Sequence, residues 1–452
     1  MPRCTSLTDK WASKLKALSD TRRRGPINGP QTTDLTYRAE IIVAVPIKVV
    51  NPIPMHWAAG PLRMTWRTGL KRVESTATTR TYYLSPEVGR TLFSDRGMTL
   101  RWHQMQPNGP TITAAARITA SEVLIRRKAR SRVAAGPAIA VLHISTTNVT
   151  AAEVAELLYV VTDFHSTHGT KMRALLKTVL PFAESTGDLR RTQTVTLIRP
   201  LEQLGWAYST AEHPPEPAIE WVHLLTNQGR TPPDVGALID GAAFSLVKPS
   251  GDYVLGVGRF GVGLVARHSD QTLGEALTFF THTIYADLLM FHASKLLSIQ
   301  ELERRTAEVV EHVRSRTLAS LRQDLIRFRA WYLPQEFSTQ SPYDSALRLL
   351  DREAKIADRL VAVREDMGEL HDRLQTNASL ATAVIVGAIA VVGLPATLSI
   401  SLWQGLIANG KLNDLVLPAI LLYAIIVLPA WFIIPKRLRD SIFGGWSHPD
   451  DS

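Results

Sequence analysis

The sequence predicts an α+β (or α/β) N-terminal domain in the cytoplasm, a long helical stalk and two C-terminal transmembrane α-helices. Three observations carry that reading. Short β-rich apolar runs mix with helical spacing over residues 36–271. Apolar residues then step by three and four through residues 272–377. Finally, Ala378–Trp403 and Leu415–Pro435 contain no charged residue. Each of these runs reaches the ~20 residues that a helix needs to cross the hydrocarbon of a bilayer.

Composition sets the outer bounds. The chain has 452 residues, enough for two or three domains, and a formal net charge of +10. Excess positive charge is compatible with nucleic acid or an anionic lipid surface, but no motif points to a specific nucleic acid. The single cysteine, Cys4, excludes an internal disulfide and a cysteine-rich zinc site, so nothing demands an oxidising compartment.

In chain order, residues 1–35 read as a flexible basic tail containing Arg22, Arg23 and Arg24. Residues 36–271 read as the mixed domain. Ile41–Val50, Ala138–Ile144, Thr194–Ile198 and Ala243–Val247 have strand character. Ala151–Val161 has helical spacing, with Thr150 or Asn148 as its N-cap. Trp57–Arg132 shows no clear period. In the stalk, 272–377, one apolar stripe is Leu318, Leu321, Leu325, Phe328 and Tyr332. A second is Ile356, Leu360, Val363, Met367, Leu370 and Leu374. The second has heptad spacing and runs straight into the first uncharged segment, which suits either a helical hairpin or self-assembly about an axis.

The C-terminal part is read as a first span, 378–403, an external loop, 404–414, a second span, 415–435, and a cytoplasmic tail, 436–452. Arg373 before the first span, and Lys436, Arg437 and Arg439 after the second, place both termini in the cytoplasm by the positive-inside rule. The implied location is the inner cell membrane, with the lipid bilayer as a partner. Within the first span, Gly393, Thr397, Ser401 and Gln404 share a stripe of small and polar residues. Such a stripe suits pore lining or close helix packing. On the stalk, Asp358, Glu365, Asp366 and Glu369 are candidate ligands for a regulatory metal shared between subunits; the other reading is a solvated face paired with Arg352, Lys355, Arg359, Arg364 and Arg373.

Other motifs carry less. Gly256, Gly258 and Gly261 fit G-x-G-x-x-G, but Val262–Val265 continue as β-like sequence, which predicts a hairpin instead of a dinucleotide turn. His165 and His168 near Asp163 lack a third ligand. His282, Asp287 and His292 stand five apart, which separates them around an α-helix. The basic run Arg126–Arg132 reads as a solvated face. No phosphate loop, HExxH or nucleophile–base pair names a catalytic chemistry, and no enzyme is predicted.

The order of elements resembles the CorA-type divalent cation channel family. Gly393-Leu394-Pro395-Ala396-Thr397 is similar to the Pro-x-Thr segment of that family's pore helix, and Phe432–Arg439 to its basic C-terminus. The family's Gly-Met-Asn motif is absent, with Gln404-Gly405-Leu406 in its place. The resemblance implies a homo-oligomeric, pentameric cation channel or transporter with a cytoplasmic sensing domain and a divalent cation such as Mg²⁺ as cargo or regulator. The alternative is a membrane-anchored signalling or bacterial defence effector that uses the two-helix module without Mg²⁺ transport.

Overall fold

The computed structural model describes residues 36–68, 71–93, 99–126, 136–162, 167–186, 192–201, 216–226, 244–250, 253–266, 271–311, 315–333 and 336–408. They form two compact units, residues 1–304 with 323–361 and residues 305–322 with 362–452.

The first unit opens with β1 (Tyr37–Val49), β2 (Ala58–Ala59), β3 (Thr65–Thr68), β4 (Lys71–Glu74), α1 (Ala77–Thr81) and α2 (Pro86–Phe93). Next come β5 (Thr99–Met105), β6 (Thr111–Thr113), β7 (Ala116–Arg126), β8 (Gly136–Thr146), α3 (Ala151–Thr162), α4 (Thr167–Val179), β9 (Ala183–Ser185) and β10 (Gln193–Pro200). Then follow α5 (Glu216–Thr226), β11 (Phe244–Ser250), β12 (Tyr253–Gly258), β13 (Gly261–Ala266) and α6 (Gln271–Phe280). A π-helical turn, Thr281–Tyr285, leads into α7 (Ala286–Glu311). The remaining helices are α8 (Ser315–Tyr332), α9 (Ser341–Glu353) and α10 (Ile356–Ala408).

Eleven strands make one sheet in the order β11-β12-β13-β10-β1-β8-β7-β5-β2, with β6 beside β7 and β9 beside β1. The β10–β13 pair is parallel and the other pairs are antiparallel, so the architecture is α+β. β3 and β4 form a separate hairpin. β1 is nearly all apolar because it is central and buried on both faces. Its odd-numbered residues, Ala39 to Val49, join Ala140 and Leu142 of β8 in a core closed by α3, α4 and α5. Thr150 caps α3 through a reciprocal box: its Oγ1 accepts from Glu153 N–H, and Glu153 Oε2 accepts from Thr150 N–H. The even-numbered face of β1 looks towards the π turn and carries the site described below.

The glycine motif is a β-hairpin, Tyr253–Gly258 paired with Gly261–Ala266. Gly261 is required by close approach: a Cβ there would lie 1.9 Å from the Thr194 carbonyl oxygen on β10.

The transmembrane part of the expected fold is corrected. Among the described residues no helix is long and apolar enough to cross a membrane. Ala378–Trp403 is the distal part of α10, whose proximal part is densely charged. Lack of charge is not the same as apolarity: thirteen of those 26 residues are Ala, Gly, Ser or Thr. The same finding overturns the multi-pass inner-membrane location with cytoplasmic termini, and it removes the spans on which the membrane-channel and Mg²⁺-transport reading rested. Leu415–Pro435 lies outside the described residues, as do 409–414 of the expected loop and 436–452.

Candidate functional site

The sheet face that carries the even-numbered residues of β1 bears charge where a strand core is ordinarily apolar. Arg101 on β5, Glu122 on β7, His143 on β8 and Glu40 on β1 come from four successive strands. Registers place Glu40 opposite Ser145, Ile42 opposite His143, and Arg101 opposite Leu124, so these residues share one face. His282 and Asp287 descend onto that face from the π turn and the start of α7. Glu40, Glu122, His143, His282 and Asp287 are all 3% exposed or less.

The contacts form one continuous chain. Arg38 Nε donates to Glu40 Oε1 at 2.9 Å, and His282 Nε2 meets Glu40 Oε2 at 3.0 Å. His282 Nδ1 lies 2.9 Å from His143 Nδ1, with the ring centroids 5.2 Å apart and the ring planes 24° from parallel, so the rings meet edge to edge. His143 Nε2 meets Glu122 Oε1 at 3.0 Å. Glu122 Oε2 accepts from Arg101 Nε at 2.9 Å and from Leu62 N–H at 2.8 Å. Arg101 Nη1 and Arg80 Nη1 both donate to Asp287 Oδ1, at 2.7 and 2.6 Å. Apart from the two imidazoles, three guanidiniums face three carboxylates, and this pairing is what makes such burial tolerable.

The environment separates the protonation states. Burial pushes Glu40 up, but the His282 hydrogen bond and the charges of His282 and Arg38 outweigh it and hold the carboxyl below its ordinary range. Burial acts the same way on Glu122, and is overcome by Arg101, His143 and Arg80, so this carboxyl too is held low. Burial lowers His143 to about 4, against the opposing pull of Glu122.

The π turn explains why His282 and Asp287 converge. Five residues along an α-helix amount to a rotation of about 140°. Here Ala286 N–H bonds back to Thr281 O, the wider i→i+5 ladder, which brings His282 and Asp287 round to one face. Thr281 Oγ1 and Thr283 Oγ1 bond to the carbonyls four residues earlier, at 2.7 and 2.6 Å, and so compete with the regular ladder. His292, further on, is turned elsewhere: its Nδ1 meets Asp351 Oδ1 at 3.0 Å, and Lys295 Nζ pairs with Asp351 Oδ2. Asp351 therefore ties α9 to α7.

On the same sheet face, a pocket of about 380 Å³ lies between α7 and the strands. Leu124, Ala138 and Ile139 form part of its floor, and Ser294, Ser298 and Arg304 part of its polar wall. Leu124 is two residues from Glu122 on β7, so pocket and relay are neighbours along the strand.

The residues singled out by sequence lie elsewhere. Thr397, Ser401 and Gln404 are exposed on α10 and Gly393 is half-buried. The Thr397 and Ser401 hydroxyls donate to carbonyls of their own helix, Gly393 O at 3.0 Å and Thr397 O at 2.8 Å. Asp358, Glu365, Asp366 and Glu369 are exposed, and among the described residues no group of three or more His, Cys, Asp or Glu is placed to hold a metal ion. On the stalk, Ile356, Val363, Met367 and Leu370 are buried, and Leu360 and Leu374 are half-buried. Asp163 and His165 lie outside the described residues, while His168 falls in α4. Sequence reading missed Glu40, Glu122 and His143. For His143 the signal was a lone ionisable residue in an otherwise uncharged strand; Glu40 and Glu122 share their strands with other charged residues and gave no such signal.

No family model matches the chain, and no curated protein and no solved structure matches it. The resemblance to CorA-type channels thus stands on element order and short motifs alone.

Proposed function

We propose that this chain is a non-enzymatic regulatory protein whose α+β domain responds to a small hydrogen-bonding ligand. The observation that carries the reading is shared geometry: pocket and relay lie on one sheet face beneath one helix, α7. A ligand seated against Ser294, Ser298 and Arg304 pushes on the helix whose first turn holds Asp287 and whose preceding turn holds His282. The pocket's size and its apolar floor with a few polar groups suit such a ligand. The relay itself is too deeply buried to touch a substrate, so its chemistry is that of a clasp between sheet and helix.

The test is a thermal-shift screen of the full chain against nucleotides, sugar phosphates, amino acids and di- and tricarboxylates. A binder should raise the wild-type melting temperature and leave that of Leu124→Trp, which fills the pocket, unchanged. If every binder acts equally on both proteins, the pocket is not the receptor site.

A further inference from the structure

The relay contains a segment whose hydrogens do not add up. Glu40, His282, His143 and Glu122 are four groups joined by three contacts of 2.9 to 3.0 Å. Three hydrogen bonds need three hydrogens. Ionised carboxylates bring none, and each neutral imidazole brings one. If both rings give their Nε2 hydrogen to a carboxylate, two bare Nδ1 lone pairs face each other at 2.9 Å. That contact is repulsive unless one further hydrogen lies between them.

We propose that His143 and His282 hold one exchangeable proton between their Nδ1 atoms, and that its loss to solvent releases the π turn from β8. With the proton present, one ring is an imidazolium that donates to the other ring and to its carboxylate. The proton arrives from water as H⁺, forms the N–H bond at Nδ1, and leaves by the reverse step. Placing it on Glu40 instead changes the position but not the count. Ser145 and Arg38 also donate to Glu40, which favours its carboxylate form.

The surroundings suit a single extra positive charge. From β1 come Glu40 and Arg38, from β7 Glu122, from β5 Arg101 and His103, from α1 Arg80, from α7 Asp287, and from β10 Arg199. The two carboxylates that touch the rings stand at either end of the pair, while Asp287 is taken up by Arg80 and Arg101. One proton on the pair is thus flanked by two negative charges, and a second would meet the first at contact distance. The device is independent of the pocket: it stands on the ring geometry whether or not a ligand binds there.

The experiment is ¹⁵N NMR of the full chain with histidine-selective labelling, from pH 5.5 to 9, with His143→Gln and His282→Gln used for assignment. An isolated imidazole is about one-tenth protonated at pH 7.5. In the wild type one ring of the pair should remain more than half doubly protonated there. Amide exchange of Thr281–Asp287 should rise at least tenfold beyond the intrinsic base-catalysed increase once the proton is lost. If both rings are singly protonated at pH 7.5 while the π turn stays protected, the proposal is overturned. That readout needs only the wild-type protein, so it decides the matter even where a variant does not fold. A ligand-blind pocket together with a proton-loaded pair would sink the proposed ligand response and keep this inference.

Discussion

Asp287 carries two guanidiniums on one oxygen, and both arginines are buried. Removing it leaves two desolvated cations without their acceptor, which costs about 3–5 kcal/mol by the usual cost of breaking a buried pair. Asp287→Ala should therefore lower the urea midpoint sharply. Adding Arg80→Met should recover part of the loss, because it removes one stranded charge. A single variant within about 1 kcal/mol of wild type would show that the pair is not held as described. A second prediction concerns acid. His143 titrates at about 4 in the folded chain against an ordinary 6.5, so the unfolded chain binds the proton more readily between those values. Stability from this group is present above pH 6.5 and is lost as pH falls towards 4, by up to about 3 kcal/mol. Glu40 and Glu122, held low, add losses of the same sign at still lower pH. Chemical denaturation at pH 7, 5.5 and 4.5 measures the slope, and His143→Gln should flatten its upper part.

At the scale of elements, the hairpin β12–β13 and helix α10 make contrasting demands. Gly261 packs its Cα hydrogen against the Thr194 carbonyl, so Gly261→Ala forces β13 away from β10 at their parallel pairing. A loss above about 2 kcal/mol is expected from such overpacking, read as a lower melting temperature with earlier exchange in β13. Helix α10 exposes Leu380 (58%), Ile385 (46%), Val386 (60%), Ile389 (65%) and Ile400 (58%).

At the scale of the molecule, the first unit joins sheet, π turn, α7 and α9 through buried charge instead of apolar packing alone. Arg359 adds a bidentate pair to Glu303, at 2.7 and 2.6 Å, where α10 begins. Each link ends on α7 or just before it, at His282, Asp287, Lys295 or Glu303. A change in one is therefore felt along the whole helix. Ligand-dependent or proton-dependent exchange should appear along α7 from Ala286 to Arg304 as a unit, and the odd-numbered core of β1 should remain protected. Independent exchange of each turn of α7 would argue against a clasp.

Strands β1, β8, β10 and β11, the helix α3 with its Thr150 cap, the hairpin at Gly256–Gly261 and the long helical pattern after residue 272 were legible in the chain. These depend on local period and turn chemistry, which a linear chain displays. It misled where a property of the environment was inferred from the absence of charge: Ala378–Trp403 is uncharged, yet no described helix is apolar and long enough to span a membrane. The relay was not legible there, because it is assembled by strand order and helix winding. Glu40, Glu122 and His143 are separated by up to 103 residues and meet because β1, β8 and β7 are neighbours in the sheet. His282 and Asp287 look divergent at α-helical spacing and converge because a π turn adds a residue to the ladder. Strand order and helix winding arise from non-local packing, and that is where this chain places its buried charges.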